Sequence, residues 1–335
     1  MRLGDLGEFK LIDRIKQQAR SSPEVIRGIG DDAAEMQLPA GHHLLTSTDL
    51  LIEEVHFRFS WTDAERLGRK AVAVNLSDLA AMGAIPRFLY LGLSCPADSE
   101  LQQVESLMHG VLAECERFGV SLVGGDTCCS PGPWILSVVI EGSAPCGRSV
   151  GRSGGRPGEL LMVSGTLGDS AMALSLLQQG ASVPPRLLQR HLTPTPRVAL
   201  GQQLAAAGLA SAMIDISDGL AADLGHLLEA GKLDAELDLV ELPLSAEFAR
   251  YYRSNPSLIE LALHGGEDYE LLFSVAEESA PAVAQLAAEL GVPVASIGRL
   301  KAGNGAIALR GADGRLQTIA AGGYDHFARR GGDPP

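Results

Sequence analysis

The chain has 335 residues, is 46% hydrophobic but only 4% aromatic, and carries a formal charge of −14. That length favours two domains over one, and that apolar content excludes global disorder. Acidity and the scarcity of rings argue against nucleic acid and against an anionic membrane surface; they leave room for a phosphate ester where metal ions reverse the local sign.

The five cysteines, Cys95, Cys115, Cys128, Cys129 and Cys146, form no CxxC pair. Neither a disulfide framework nor a zinc site is expected, and free thiols in a reducing compartment are. The N-terminus lacks the apolar core of a signal peptide and no apolar run is long enough to span a bilayer, so a cytoplasmic protein is expected.

In chain order, Glu8 to Ala19 has helical spacing, with Phe9, Leu11, Ile12 and Ile15 as its stripe. Gly28-Ile29-Gly30-Asp31-Asp32 follows as a turn before a short strand, its glycines placing two carboxylates at a loop tip. Alone, such a turn reads first as a solvated one. His43 to Ser47 reads as a strand ending in Thr46-Ser47-Thr48-Asp49, a group of hard oxygen ligands, with His56 shortly after. Thr62 to Met82 is a long helix whose second half, Ala71 to Ala84, is the centre of the chain's design. Asn75 and Asp78 share a face there among apolar neighbours, where a carboxylate is costly unless paired. Asp31, Asp32, Asp49, Asp126, Asp215 and Asp218 are the candidates to share its site. Like charges about 4 Å apart repel by roughly 4 kcal/mol at an effective dielectric near 20, and a divalent cation removes that cost. Oxygen-rich sites of this kind suit magnesium, so the loops are expected to converge on a magnesium–phosphate site.

Arg87 to Cys95 reads as a strand and Asp98 to Arg117 as a helix capped by Asp98 or Ser99. Val120 to Val123 is a buried strand ending in Gly124-Gly125-Asp126-Thr127, where glycines let backbone amides approach an oxyanion. Trp134 to Ile140 is a further strand, completing one α/β domain. Cys146 to Gly158, with five glycines and Arg148, Arg152 and Arg156, marks the domain boundary. Its arginines are either solvated or, for one of them, in contact with phosphate.

After strand Leu160 to Val163, Gly165-Thr166-Leu167-Gly168-Asp169-Ser170 resembles an anion-binding helix N-terminus, without the Gly-Lys-Ser/Thr of a P-loop. Pro184 to Pro196 reads as a connector. Strand Ala212 to Ile216 leads into Asp215-Ile216-Ser217-Asp218-Gly219-Leu220; helix capping would account for Asp218 but not for Asp215, and a metal role is favoured for the pair. The acidic Gly265-Gly266-Glu267-Asp268-Tyr269-Glu270 is either a turn or a loop that meets a cationic ligand.

Taken as an ordered set, Gly-Ile-Gly-Asp-Asp, Ser-Thr-Asp, Asn-Leu-Ser-Asp-Leu-Ala-Ala-Met-Gly-Ala, Gly-Gly-Asp-Thr, Asp-Ile-Ser-Asp-Gly-Leu, Gly-Gly-Glu-Asp-Tyr-Glu and Gly-Tyr-Asp-His-Phe resemble the thiamine-monophosphate kinase family, within the aminoimidazole-ribonucleotide-synthetase-like ATP-binding superfamily. The resemblance implies an α/β N-terminal domain over 1–147, whose sheet pairs across a homodimer, and an α+β C-terminal domain over 148–327; Ala328 to Pro335 reads as a flexible tail. It implies phosphoryl transfer from ATP to thiamine phosphate. By motif match, magnesium falls to Asp32, Ser47, Thr48, Asp49, Asp78, Asp126, Asp215 and Asp218, and ATP to Gly125, Asp126, Arg152, Ser217 and Phe118. Thiamine phosphate falls to His56 and Glu267. Where the family can place tryptophan this chain has Ala321, and Tyr324 is the expected substitute. No residue is expected to act as a general base. Within the superfamily, selenophosphate synthetase would need a reactive residue near the N-terminus, whereas the first cysteine is Cys95. A non-catalytic nucleotide sensor would have lost acidic positions that are all present.

Overall fold

A computed structural model describes residues 1–324 and 326. Tyr324 and His326 of the terminal motif are included; Asp325, Phe327 and the expected tail over 328–335 lie outside the described residues. The chain forms two compact units, one of Met1–Ser149 with Leu192–Gly208, the other of Val150–His191 with Leu209–Pro335.

The first unit contains α1 (Leu3–Leu6), α2 (Glu8–Gln18), β1 (Val25–Arg27), β2 (Glu35–Met36), β3 (His42–Ile52), α3 (Ala64–Ala81), β4 (Ile85–Cys95), α4 (Leu101–Phe118), β5 (Ser121–Cys129) and β6 (Ile135–Pro145). The four long strands form one sheet in the order β3-β6-β4-β5. Only β4 and β5 are parallel, because α4 supplies the long crossover that parallel neighbours require. Asp63 caps α3 by accepting from the Arg66 N–H at 2.8 Å. At α4 neither Asp98 nor Ser99 caps: the cap position is Glu100, which makes no side-chain cap bond.

The helices α3 and α4 cross at bare backbone. A Cβ on Gly68 would stand 2.2 Å from the Leu107 carbonyl oxygen, and one on Gly110 would stand 2.0 Å from that of Glu65. The strands alternate accordingly. Leu45, Ser47, Asp49 and Leu51 of β3 lie on the more buried face, whereas Leu44, Thr46, Thr48 and Leu50 are exposed.

The second unit contains β7 (Leu160–Ser164), α5 (Asp169–Gln178) and α6 (Pro185–Leu192), the last ending at the edge of the unit. The chain then contributes α7 (Val198–Ala206) to the first unit and returns as β8 (Ala212–Asp215), α8 (Leu220–Gly231), β9 (Leu233–Asp238), α9 (Ala246–Ser254), α10 (Ile259–His264), β10 (Leu271–Val275), α11 (Ala280–Leu290), β11 (Val294–Ala302), β12 (Ile307–Arg310) and β13 (Leu316–Ile319). Its sheet has seven strands in the order β13-β12-β9-β11-β7-β10-β8, antiparallel except for β12 on β9. Leu161, Val163, Ile214, Leu220, Leu224 and Leu272 belong to its continuous apolar core. The segment expected to be a bare connector, Pro184 to Pro196, thus holds a helix. Against the first unit, α7 packs so tightly that a Cβ on Gly201 would be 2.0 Å from the Ala80 oxygen of α3.

Candidate active site

Asp49 and Asp78 come together. Strand alternation puts Ser47 and Asp49 on the same side of β3. Ser47 Oγ donates to Asp78 Oδ2 at 2.5 Å. Burial first, and the charge of Asp78 second, push the Asp49 carboxyl up to about 7. Two carboxylates held this way repel, and a cation favours both ionised forms. One turn before Asp78, Asn75 donates to the Ala71 oxygen at 2.9 Å while its own Oδ1 is buried without a hydrogen-bond partner.

The rest of the expected ligand set in this unit is placed differently. The Ser-Thr-Asp run lies inside β3 rather than at a strand end, so Thr48 faces the opposite side and donates to the Val138 oxygen at 3.0 Å. The Gly-Gly-Asp-Thr run lies inside β5. Its glycines follow a register shift against β4, and a Cβ on Gly125 would meet the Leu91 oxygen at 2.0 Å. Asp49 faces Val138, Val138 faces Leu91 and Leu91 faces Gly125. Asp126, next to Gly125, is therefore three strand spacings from Asp49, roughly 14 Å. It is exposed and accepts from the Thr127 N–H at 3.0 Å. Asp31 and Asp32 are exposed on the Gly28–Asp32 turn, where Asp31 lies 3.8 Å from Arg27. Among the described residues, no three His, Cys, Asp or Glu side chains form a ready-made metal cluster. The acidic groups of this unit are an Asp49–Asp78 pair with more distant carboxylates around it.

His56 accepts from the Ile52 N–H through Nδ1 at 3.0 Å, so the neutral ring carries its proton on Nε2. Phe57 and Phe59, next to it in sequence, form an edge-to-face series with Trp134. Phe118, at the end of α4, is half-buried beneath the Arg117 guanidinium.

In the second unit three motifs meet. The Ile216 N–H donates to the Glu270 oxygen, the Tyr269 N–H to the Ile216 oxygen and the Glu267 N–H to the Ser217 oxygen, each at 2.8 Å. The Tyr324 N–H donates to the Asp218 oxygen at 3.0 Å. Asp215, Ser217, Asp218, Glu267 and Tyr324 are thereby gathered around the end of β8. Arg152 is exposed on a segment that follows the β8 edge, where the Met213 N–H donates to the Gly151 oxygen at 3.1 Å. Ala321 packs beside α8, near Gly225.

Asp218 does not cap α8. Asp223 in its first turn does that work: one oxygen accepts from the N–H groups of Ser217, Asp218 and Gly219 at 3.0, 3.0 and 3.1 Å. Burial, then the charge of Asp218, push its carboxyl up to about 7. The expected anion site at the start of α5 is filled from within. Both Asp268 oxygens accept from the Gly168 N–H, at 2.9 and 3.1 Å. Burial raises the Asp268 carboxyl to about 8 despite that bond. Arg190 and His191, on a helix concealed among prolines, were not singled out in sequence. Arg190 donates to the Asp268 oxygen and to Glu270, both at 2.7 Å.

Comparisons with known proteins agree with this layout. The family model "AIR synthase related protein, N-terminal domain" matches residues 30–144, and the corresponding C-terminal domain model matches 156–309. The chain is 42% identical to thiamine-monophosphate kinase of Escherichia coli K12 over 329 residues, covering 96% of this chain and 98% of that one. A crystal structure of thiamine-monophosphate kinase from Stenotrophomonas maltophilia is 40% identical with a TM-score of 0.83, covering 93% of this chain and 98% of the other. The structure of AaThiL complexed with AMPPCP and TMP is 38% identical with a TM-score of 0.74, covering 96% and 97%. Two AIR-synthase-related domains in one chain, with full-length likeness at this identity, establish that the chain belongs to the thiamine-monophosphate kinase family.

Proposed function

We propose that this chain transfers the γ-phosphoryl group of ATP directly to thiamine phosphate, giving thiamine diphosphate and ADP as a step in thiamine diphosphate biosynthesis. The observation that carries the reading is the Asp49–Asp78 pair, whose mutual repulsion and burial call for a cation, in a chain with full-length likeness to kinases of this name. Magnesium fits a pair of hard oxygens with a hydroxyl beside them. Ser47, Asp49 and Asp78 are its proposed centre; Asp32 and Asp126, set apart from that pair, are proposed ligands of further ions in the first unit, and Asp215 and Asp218 are those of the second. Thr48 joins that set only through its backbone oxygen, since its hydroxyl is turned to Val138.

The acceptor phosphate is ionised at neutral pH, so no base has to create the nucleophile. Bound magnesium supplies positive charge that offsets repulsion between the two phosphates. The remaining work is alignment for in-line transfer. Gly125 lets backbone come close to ATP; Asp126, Ser217, Arg152 and Phe118 are its other proposed contacts. His56 offers Nε2–H to thiamine phosphate, Glu267 offers a carboxylate, and Tyr324 offers a ring.

The protein acts, we propose, as a cytoplasmic homodimer. In support, all five cysteines are free and no helix among the described residues is long and apolar enough to cross a membrane. One face of the first sheet exposes Leu44 (48%) and Leu50 (54%), an apolar surface suited to a second copy. Incubation with ATP, magnesium chloride and thiamine phosphate, followed by chromatography, should give thiamine diphosphate and ADP in equal amounts. ATP binding without that product would leave a nucleotide sensor instead.

A further inference from the structure

We propose that His191 is a positioning residue that sets the Glu267 carboxylate for thiamine phosphate. The proposal rests on the reading of Glu267 as a substrate contact. The loop from Gly265 to Glu270 contains two non-glycine residues in the left-handed region, Glu267 at φ 66° and Tyr269 at φ 49°. Such residues persist where surrounding contacts over-determine them, and they gather at functional sites.

Two consecutive residues near the end of α6 supply much of that restraint. Arg190 holds the loop's main chain through the Asp268 oxygen and its far end through Glu270. Glu270 is held again by the Ser164 hydroxyl at 2.5 Å. His191 acts on the side chain instead. Its Nδ1 lies 3.0 Å from Glu267 Oε2 and 3.0 Å from Ser170 Oγ. The His191 side chain is 5% exposed, whereas that of Glu267 is 25% exposed. A buried, fixed donor thus grips one oxygen of a carboxylate that still opens to solvent. Donation from Nδ1–H makes Oε2 the anchored oxygen of that carboxylate. Thiamine phosphate combines a cationic thiazolium with an aminopyrimidine, and an anchored carboxylate suits either group. A glutamate left to its own rotamers would lose part of its binding to the cost of ordering.

The test uses steady-state kinetics on the full chain with ATP, magnesium and thiamine phosphate, for wild type, His191→Ala and His191→Asn. The asparagine amide nitrogen takes the place of Nδ1 and restores the donor. Expected for His191→Ala is a KM for thiamine phosphate raised about tenfold or more, with kcat and the KM for ATP within about twofold of wild type. His191→Asn should return the KM to within about threefold. An unchanged KM in His191→Ala, a loss confined to kcat, or an equal defect in His191→Asn would each overturn the positioning role. If the alanine variant does not fold, wild-type KM in the asparagine variant upholds the role and a tenfold rise overturns it. Wild type that makes no thiamine diphosphate overturns both this role and the proposed function, whereas active wild type with an unaffected His191→Ala overturns this role alone.

Discussion

Asp49 stores a conflict that the rest of its unit tolerates. Its carboxyl is pushed from the ordinary range to about 7, so between about pH 4 and 7 the unfolded chain gives up a proton that the folded chain keeps. Its contribution to stability is whole below that window and is lost as pH rises through it. Asp223 and Asp268, raised to about 7 and 8, act in the same direction. Exposed pairs such as Glu277 with Arg299, whose carboxyl is held below its usual value, act oppositely and at lower pH. Metal-free protein should therefore melt at a higher temperature at pH 5 than at pH 8, measured by calorimetry in chelator, and added magnesium should narrow the gap. Asp49→Asn should raise the melting temperature at pH 8 by several degrees in chelator while holding turnover below about 1% of wild type. A variant that is both active and no more stable would show that Asp49 bears no such conflict. Asp223→Ala is a contrast: it strands three backbone donors, at about 1–3 kcal/mol for each one left unsatisfied, and should destabilise by roughly 3 kcal/mol or more in urea titrations.

Elements rather than single groups decide how α3 meets α4. With Gly68 and Gly110 each facing a carbonyl oxygen at about 2 Å from where a Cβ would lie, Gly110→Ala must push the helices apart. A loss of about 1–3 kcal/mol, from overpacking, is expected in denaturant melts. The existence of these helices was plain from apolar periodicity, and the motifs of the second unit were legible enough that Asp215, Ser217, Asp218, Glu267 and Tyr324 do assemble. Strand extent was not legible. Polar residues such as Ser47, Thr48 and Asp126 read as strand ends, yet β3 and β5 run through them because paired neighbours supply their hydrogen bonds. The helix start at Gly168 looked open to a ligand because its occupant, Asp268, lies 100 residues downstream. No local signal reveals such a partner, and the same holds for Arg190 and His191, whose prolines read as a break in structure.

At the scale of the molecule, the proposed homodimer puts its second copy on the exposed face of the first sheet, where Leu44 and Leu50 stand. Leu50→Glu would place a charge on that face, and sedimentation should show a shift from dimer to monomer. An unchanged dimer would mean that copies meet elsewhere. A second feature of the whole chain is the return of Leu192–Gly208 to the first unit, where α7 closes on the Ala80–Gly83 end of α3. The N-terminal unit therefore cannot finish folding when its first 149 residues leave the ribosome. It has to wait, incomplete at α3, until residue 208 emerges, and during synthesis that gap lasts about 3–12 seconds at 5–20 residues per second.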